Sequence, residues 1–384
     1  MVKQGYKQTE IGVIPEDWEV KKVSEISRIT TGNKNTQDRI ENGIYPFFVR
    51  SQTIEHLNSF SFEGEAVLTA GDGVGVGKVF HYINGKFDYH QRVYAISHFD
   101  TNVYGFYFFK YFQNNFYNRI MQMTAKSSVD SVRMETIADM LIPLPPLPEQ
   151  EAIAEALSDA DAWIASLEQL IAKKRLIKQG AMQELLTPKE DWEVKKLGEV
   201  AEFLKGKDLS KSDLSSNGKY ECIHYGELFT TYKESIKNVK NYTNNNLNKI
   251  FSKSNDVLMP TSDVTPRGLA TASCIKKDGV ILGGDILIIR FQVGFDGVYF
   301  SYFISNNKEE VLKYVSGSTV YHLYGSELSN LIFSFPSLSE QTRIATILSD
   351  MDAELEALEQ QLAKARQIKQ GMMQELLTGK TRLV

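Results

Sequence analysis

Two stretches of the chain place apolar residues at alternating steps of four and three, the spacing of a coiled-coil seam on a helix. These stretches are residues 149–187 and 340–378. The predicted seam residues are Ile153, Leu157, Ala160, Ile164, Leu167 and Ile171 in the first and Ile344, Leu348, Met351, Leu355, Leu358 and Leu362 in the second. Pro148 before the first stretch, and Pro188 and Gly379 after the two LLT endings, predict where the helices start and stop. About 35 helical residues would form a rod on the order of 50 Å long.

The two stretches are copies of each other, since roughly two-thirds of their aligned positions are identical without a gap. Acidic residues come early in each copy and basic residues come late. An antiparallel pair sets each acidic half against the basic half of the other helix, whereas a parallel pair sets like charges together. The charge pattern therefore predicts an antiparallel coiled coil. Periodicity alone is equally typical of a two-helix spacer between domains.

The segments outside the helices have the alternation and glycine punctuation of β structure. Residues 26–140 contain short predicted strands in TTGNKNT, YPFFVRSQ, EAVLTAGDG, VGKVFHYINGKF and YHQRVYAIS. An aromatic helix is predicted from Val103, and Pro143 to Pro148 are expected to form a stiff connector to the rod. Trp18 and Trp192, with Val20 and Val194, are expected to dock the first strand of each segment onto its core.

The second segment, residues 189–336, repeats this plan with different content. DVLMPTSD stands where EAVLTAGD stood, and the serine cluster before the helix also recurs. A duplicated frame with a diverged interior predicts two related domains that recognise different targets.

Composition places few limits on partners. The chain has 384 residues, a net charge of −5 and 42% hydrophobic residues, which suits two or three globular domains. No apolar run has the length of a membrane span, and the amino terminus lacks a signal-peptide core, so a cytoplasmic location without membrane attachment is expected. The two cysteines, Cys222 and Cys274, lack zinc-ligand spacing, so no metal site is expected.

The glycine run from Gly71 to Lys78 does not fit a phosphate loop. A Walker A motif needs glycine where the chain has Asp72 and a hydroxyl residue where it has Val79. What remains is a hairpin whose amides and lysine could approach a phosphodiester backbone, or a surface hairpin without a role.

Polar and aromatic residues near the predicted loops carry the donors and acceptors that read nucleic acids. Arginine can bind guanine O6 and N7 in a bidentate manner, and glutamine can bind adenine N6 and N7. The candidate DNA-contacting residues are Lys34, Arg50, Lys78, His90, Gln91, Arg92, Lys207, His224, Tyr225, Thr231, Tyr232, Lys233, Thr261, Ser262, Arg267, Tyr321, His322 and Tyr324.

Catalytic motifs are missing from the sequence. It contains no NPPY or DPPY tetrapeptide of amino-methyltransferases, no S-adenosylmethionine glycine loop and no GxSxG. Asp17, Glu19 and Lys21 superficially match a nuclease metal site, but the acidic pair is too close in sequence to span separate strands. The chain is therefore expected to be non-catalytic.

The order of parts resembles the specificity subunit of a type I restriction-modification system. The resemblance covers the whole chain and includes GYKQTEIGVIPEDWEV, the helix starts PLPPLPEQEAIA and PSLSEQTRIATIL, the element HLYGSEL, and the endings IKQGAMQELLT and IKQGMMQELLTGKTRLV. It implies an α+β fold with a pseudo-twofold internal repeat, in which two β-rich target recognition domains are separated by a pair of long antiparallel coiled-coil helices.

The expected boundaries are residues 1–145 for the first recognition domain, 146–187 for the central helix, 188–336 for the second recognition domain and 337–384 for the last helix and tail. The resemblance implies that each domain reads one half of a bipartite site in double-stranded DNA. It also implies two methyltransferase subunits docked on the helices, restriction subunits, and S-adenosylmethionine, ATP and Mg²⁺ used by those partners and not by this chain.

A coiled-coil scaffold with two β domains that bind protein or carbohydrate is the alternative. Salt dependence separates the two, because phosphate contacts make affinity fall steeply with salt whereas a neutral ligand leaves affinity nearly constant.

Overall fold

The computed structural model describes residues 2–123 and 131–383, which form two compact units. Unit 1 comprises Met1–Glu168 and Gln361–Val384, and unit 2 comprises Gln169–Gln360. Two long helices, α4 (Leu147–Leu185) and α10 (Leu338–Leu376), each contribute one part to each unit. No helix in the described ranges is both long and apolar enough to cross a bilayer.

Unit 1 contains ten strands and three shorter helices in its described part. They are β1 (Tyr6–Thr9), β2 (Gly12–Pro15), β3 (Glu19–Lys22), α1 (Val23–Ile26), β4 (Arg28–Thr31), β5 (Tyr45–Phe48), β6 (Ile54–Leu57), β7 (Phe62–Ala70), β8 (Phe80–Tyr89), β9 (Val93–Ser97), α2 (Gly105–Met123), α3 (Met134–Ala138) and β10 (Leu141–Leu144).

The main sheet of unit 1 has six strands in the order β4-β9-β7-β8-β5-β6. Its pairs are antiparallel except β5 with β8. The sheet curls, because the end of β8 returns toward β4: the backbone N–H of Gln91 donates to the carbonyl of Lys34 at 2.9 Å. Gly32 lies at this return, where a Cβ would stand 1.8 Å from the carbonyl oxygen of Tyr89. Glycine is therefore required for the close approach.

Helix α2 covers one face of this sheet with aromatic side chains. Tyr107, Phe108, Phe112 and Phe116 are fully buried, and the spacing of these residues keeps them on one helix face. They pack with β7 and β8 and with the start of α4, so the predicted aromatic helix is confirmed.

The elements of unit 2 match those of unit 1 at two places, the strand and short helix that open each copy of the repeat and the short helix and strand before each long helix, and they differ in between. They are β11 (Glu193–Lys196), α5 (Leu197–Val200), β12 (Ala201–Lys205), β13 (Tyr220–Ile223), α6 (Glu227–Thr230), β14 (Ser235–Ile236), β15 (Asn241–Thr243), β16 (Ile250–Phe251), β17 (Val257–Pro260), β18 (Ser262–Asp263), β19 (Ser273–Ile275), β20 (Ile281–Leu282), β21 (Ile286–Phe291), α7 (Gly297–Asn306), α8 (Lys308–Leu312), β22 (Val315–Gly317), β23 (Tyr321–Leu323), α9 (Gly325–Leu328) and β24 (Ile332–Phe335).

The strands of unit 2 form a five-stranded sheet β12-β21-β17-β19-β14, a four-stranded sheet β15-β13-β20-β16, a three-stranded sheet β18-β23-β22 and the pair β11-β24. Helix α7 begins after Asp296, whose carboxylate accepts the backbone N–H groups of Val298 and Tyr299 as a helix cap. Its residues from Gly297 to Ile304 are all buried, so α7 occupies in unit 2 the place of α2 in unit 1.

Ion pairs fix the direction in which α4 and α10 run against each other. In unit 1, Asp161 pairs with Lys369, and Glu168 pairs with Arg366 at 2.6 Å. In unit 2, Lys178 pairs with Asp352 and Arg175 pairs with Glu359, both at 2.6 Å. Residue numbers rise along one helix while they fall along the other, so the pairing is antiparallel. The charge pattern predicted this arrangement correctly.

The predicted seam residues lie on the inner side of these helices. Ile153, Leu157, Ala160, Leu167, Ile171, Ile344, Leu348 and Leu355 are buried, and Ile164, Met351, Leu358 and Leu362 are half-buried. Ala365, which was not among them, is also buried. The helix ends of the seam extend into the domain cores, where Ile153 and Leu157 pack in unit 1 and Ile344 and Leu348 in unit 2.

A carboxylate occupies the same position of both helix copies and anchors the same two neighbours. In unit 1, Asp161 binds Lys369 of α10 and Lys110 of α2. Burial opposes ionisation of Asp161, but the hydrogen bonds from the two lysines outweigh burial and lower its pKa.

In unit 2 the matching carboxylate, Asp352, binds Lys178 of α4 at 2.6 Å and accepts the hydroxyl proton of Tyr302 of α7 at 2.6 Å. Burial raises the pKa of Tyr302, so this hydroxyl stays a neutral donor. The two anchors therefore differ in their third member, which is a cation in unit 1 and a neutral phenol in unit 2.

The carboxy-terminal tail completes unit 1. The Arg382 guanidinium donates to Asp17 and to the buried carboxylate of Glu149, with distances of 2.7 to 2.9 Å. Glu149 also accepts the indole N–H of Trp18 at 3.0 Å. The hydrogen bond from Arg382 lowers the pKa of Asp17.

In unit 2 the corresponding carboxylate is paired with a cation of its own helix. Glu340, the copy of Glu149, forms a bidentate pair with Arg343 one turn later on α10, whereas the first helix has Ala152 at that position. The start of α4 has no cation one turn after Glu149, so the carboxylate of Glu149 is paired with Arg382 of the tail.

Three local expectations were wrong. Pro143 lies in β10, opposite Val20 of β3, and α4 already begins at Leu147, so the prolines do not form a separate connector. β4 ends at Thr31, so most of TTGNKNT is loop. Trp18, Trp192 and Val20 pack into the cores, but Val194 is 62% exposed because all four residues of β11 face solvent. Residues 124–130, which include part of the predicted serine cluster, lie outside the described residues.

We predict that Lys178→Ala destabilises unit 2 more than Lys369→Ala destabilises unit 1. Removing Lys178 leaves the 15% exposed carboxylate of Asp352 without a cation, which costs on the order of 3 kcal/mol. Removing Lys369 leaves Asp161 paired with Lys110, so the cost should be about 1 kcal/mol or less. Native-state hydrogen exchange, read separately on peptides of the two units, measures both values. An equal or larger effect of Lys369→Ala would contradict the assignment.

We predict that Arg382→Ala lowers the free energy of unfolding of unit 1 by on the order of 3 kcal/mol, because Glu149 is then a buried charge without a cation. Arg343→Ala is the matched control, since its pair with Glu340 is solvent-exposed and should contribute little. Urea unfolding followed by hydrogen exchange in each unit checks this. A loss for Arg382→Ala no larger than that of the control would contradict the role assigned to the tail.

Candidate nucleic-acid interface

The curl of the unit 1 sheet gathers five of the predicted contact residues at one end of the sheet. His90 donates its backbone N–H to the carbonyl of Phe48, which lies two residues before Arg50, and Gln91 donates to the carbonyl of Lys34. Arg92 accepts the backbone N–H of Gly71 at 2.8 Å. Loops from four strands therefore meet here, although their residues are far apart in the sequence.

Two arginines share one carboxylate at this end. The Arg50 Nη1 atom lies 2.9 Å from Asp72, and the Arg92 Nε atom lies 3.6 Å from the other oxygen of Asp72. The side chain of Arg92 is 65% exposed and that of Arg50 is 46% exposed. Most of their N–H groups therefore face solvent in fixed directions, which suits recognition of phosphate or of a guanine edge.

His90 faces inward and supports the turn. Its Nδ1 atom accepts the backbone N–H of Arg92 at 2.9 Å, and the residue is 5% exposed. Burial, followed by the positive charge of Arg50, lowers the pKa of His90, so the ring stays neutral near pH 7. Gln91 is exposed, and its side-chain amide donates to Asn35.

The Gly71–Lys78 loop connects β7 to β8 and is built by glycines. Gly73 and Gly77 have φ values of +76° and +66°, and a Cβ on Gly75 would stand 2.3 Å from the carbonyl oxygen of Arg50. These glycines are needed for backbone geometry. The side chain of Lys78 is exposed on this loop.

In unit 2 four of the predicted residues line one groove of about 520 Å³. These residues are Thr261, Ser262, His322 and Tyr324, and Lys205 and Asp285 also line the groove. Ser262 is paired with His322 across β18 and β23. The rings of His322 and Tyr324 are stacked with centroids 5.9 Å apart, and Tyr324 is 53% exposed.

His224 and Tyr225 follow β13 and are packed on each other, with ring centroids 4.6 Å apart. The Nδ1 atom of His224 accepts the backbone N–H of Gly226, and the backbone N–H of His224 donates to the carboxylate of Glu227 at 2.8 Å. Burial lowers the pKa of His224, which therefore stays neutral near pH 7. Its position resembles that of His90 in being a turn support.

The remaining predicted residues are dispersed. Thr231, Tyr232 and Lys233 line a separate cleft beside Asp352, Glu356 and Glu359 of α10, and the Tyr232 hydroxyl binds Glu227. Arg267 is paired with Glu309, Lys207 is exposed after β12, and Tyr321 lies opposite Asp263 in β23. These residues do not join the groove of Thr261 and His322 as one cluster.

The residues of the nuclease alternative, Asp17, Glu19 and Lys21, each form an ion pair. Asp17 binds Arg382, and Glu19 lies 3.4 Å from Lys21 on β3. Within residues 2–123 and 131–383, no three His, Cys, Asp or Glu side chains come together as a metal site.

The sequence analysis did not select Asp72, Lys205 or Asp285. The strand pairing places Asp72 at the position of Ser262, whereas the similarity of EAVLTAGD and DVLMPTSD places it at Asp263, so the sequence repeat gave no signal for these three residues.

Comparison with known families gives a match to one domain, in two copies. The type I restriction modification DNA specificity domain matches residues 15–174 and 189–367.

Full-length relatives carry the same description. The chain is 25% identical to the type I restriction enzyme MjaVIII specificity subunit of Methanocaldococcus jannaschii, covering 96% of this chain and 94% of that one. It is 26% identical to the putative type I restriction enzyme MjaX specificity subunit of the same organism, covering 99% and 97%. Among solved structures, the type I restriction-modification S subunit from M. genitalium has a TM-score of 0.63 at 15% identity and covers 94% of this chain and 96% of that chain, which shows a shared fold.

Proposed function

The chain belongs to the family of type I restriction-modification DNA specificity domains, and from that premise we propose that it is the non-catalytic subunit that reads double-stranded DNA for such a system. Each unit would read one half of a bipartite site. The unread spacer between the halves would be set by the paired helices, since successive major-groove faces lie about 34 Å apart along B-DNA.

The observation that carries this proposal is the contrast between frame and loops in the two units. The helix starts are held alike: Gln150 and Gln341 are buried, and each amide binds the backbone just before α2 or α7 and the carbonyl of the preceding proline segment. The exposed loop ends differ, with Arg50 and Arg92 in unit 1 and the His322 groove in unit 2. A common scaffold with different exposed donors is what two readers of different sequences require.

Charge distribution supports DNA as the ligand despite the net charge of −5. At the loop end of unit 1, Arg50, Arg92 and the exposed Lys78 outnumber the carboxylates of Asp72 and Asp38. Within the helix pair, five acidic residues bind a lysine or arginine of the other helix. A local basic surface can therefore contact phosphates while the chain as a whole is acidic.

The partners follow from the same proposal. Two methyltransferase subunits would dock on the repeated helices, one for each copy, and restriction subunits would join that complex. Adenine N6 methylation and cleavage would take place in those subunits, with S-adenosylmethionine, ATP and Mg²⁺ bound there. The repeat supports two such docking surfaces, because α4 and α10 have 39 residues each and share their sequence frame.

We predict that replacing residues 26–140 with the matching segment of another family member changes one half-site and leaves the other half-site and the spacer unchanged. The helices and the residues that hold them, including Trp18 and Glu149, remain in place in this chimera. The measurement is the recognition sequence of the assembled methyltransferase complex, determined on randomised DNA.

The reciprocal exchange of residues 201–331 is the matched control and should change only the other half. A chimera that folds but changes both halves, or binding that is nearly indifferent to salt, would contradict the proposal, because phosphate contacts make affinity fall steeply with salt.

A further inference from the structure

A junction of three chain segments is repeated with the same backbone bonds in the two units. In unit 1, Gly71 donates its backbone N–H to the carbonyl of Arg92 and accepts the N–H of Val132, both at 2.8 Å. In unit 2, Thr261 donates to the carbonyl of Asp285 at 2.9 Å and accepts the N–H of Leu323 at 3.0 Å.

The flanking pairs confirm the correspondence of positions. Ala70 pairs with Val93 in unit 1, and Pro260 pairs with Ile286 in unit 2. One residue further along, Asp72 is bridged to Ser131, and Ser262 is bridged to His322. The backbone therefore places Arg92 and Asp285 at the same point of the frame.

The side chains at this point have opposite charge and are both accessible. Arg92 is 65% exposed in its side chain, and its contact with Asp72 is made by Nε at 3.6 Å, so both terminal nitrogens can bind elsewhere. Asp285 is 48% exposed, and Lys205 approaches it at 3.4 Å. Asp285 also has a φ of +59°, a left-handed conformation that is uncommon for a residue with a side chain and is often retained at functional loops.

Packing below the junction has been adjusted to keep the backbone constant. A Cβ on Gly71 would stand 2.8 Å from the ring of Tyr94, and Leu287 takes the place of Tyr94 in unit 2, where Thr261 replaces the glycine. Compensating changes in the core with an unchanged bond pattern indicate that the frame is retained while the exposed residue is free to differ.

We propose that this junction fixes one base of each half-site, with Arg92 reading a guanine and Asp285 reading a base that offers an exocyclic amino group, cytosine or adenine. This inference depends on the proposed DNA-reading function. Arginine donates in a bidentate manner to guanine O6 and N7, whereas a carboxylate accepts from an amino group in the major groove. Asp72 contacts Arg92, and Lys205 and the hydroxyl of Thr261 each lie 3.4 Å from the carboxylate of Asp285, so these neighbours orient the two side chains.

The test is the base-by-base recognition profile of the assembled methyltransferase complex on randomised DNA, compared for the natural chain and for Arg92→Ala, Arg92→Lys, Asp285→Ala and Asp285→Asn. Arg92→Ala should reduce discrimination at one guanine of one half-site by about five- to 150-fold and leave the other half-site unchanged. Arg92→Lys should retain part of the preference, since lysine can also donate to guanine. Asp285→Ala should relax one position of the other half-site, where the natural chain prefers cytosine or adenine, and Asp285→Asn should retain part of that preference, since its amide oxygen still accepts from an amino group.

Matched controls carry the same chemistry away from the junction. Arg39→Ala removes an exposed arginine that pairs with Glu55, and Glu193→Gln removes an exposed carboxylate that pairs with Lys195. Both controls should keep the natural profile.

The possible results distinguish a failure of the proposed DNA-reading function from a failure of the proposed role of the junction. A natural complex without any preferred sequence would refute the proposed function itself. A bipartite preference that Arg92→Ala and Asp285→Ala leave unchanged at every position would overturn only the junction. Relaxation at a base other than guanine for Arg92, or at guanine or thymine for Asp285, would also overturn it.

Discussion

A buried carboxylate needs a cation, and this requirement ties the two helices of the chain together. Asp352 is a short acidic side chain with 15% exposure between α10 and the core of unit 2, and Lys178 of α4 supplies its charge. Asp161 has the same place in unit 1 and takes its cations from α10 and α2. Since each anchor joins a helix of one copy to a helix of the other, neither long helix can complete a unit alone. The seam of apolar residues adds the attraction, and the ion pairs select the antiparallel direction.

The same logic explains why the tail belongs to unit 1. Glu149 is buried beside Trp18 and has no cation one turn later on α4, because Ala152 stands where the second copy has Arg343. Arg382 supplies the missing charge. Unit 1 is therefore assembled from both termini of the chain, while unit 2 is continuous. The two units therefore share the buried start of the long helix, but the cation that pairs with its glutamate comes from the tail in unit 1 and from α10 in unit 2.

Much of the fold could be predicted from the sequence because its signals are local and periodic. The seam positions recur every three or four residues, the two helix copies align without a gap, and acidic residues precede basic ones in each copy. The aromatic residues of α2 are also concentrated in one short stretch. Tertiary neighbours could not be predicted in this way. The third member of each anchor, Lys110 or Tyr302, depends on how α2 and α7 pack, and Val194 is exposed although the matching Val20 packs into the core of unit 1. The wrong proline connector arose because Pro143 was read as a linker signal although it fits a strand in which its missing N–H is tolerated.

The sequence suggested which types of residue could contact DNA, but it did not show how these residues are arranged in space. Arginine, histidine and glutamine after β8 were selected for their chemistry, yet the curl that unites them with Arg50 is visible only in the structure. Asp72 and Asp285 were missed because an acidic residue is not expected in a DNA-facing loop. The structure shows one carboxylate between two arginines and the other at the matching backbone position of the second unit. The two units share one backbone arrangement at this point and differ in the exposed side chain, which is what recognition of two different targets by one architecture requires.

The most direct test of this account is a base-resolution map of N6-methyladenine in the genome of the host, with the gene intact and with the gene deleted. The account predicts that deletion removes methylation from a single bipartite motif and leaves all other methylated motifs unchanged. An intact methylation pattern after deletion, in a host whose partner methyltransferase subunit is expressed and active, would contradict it.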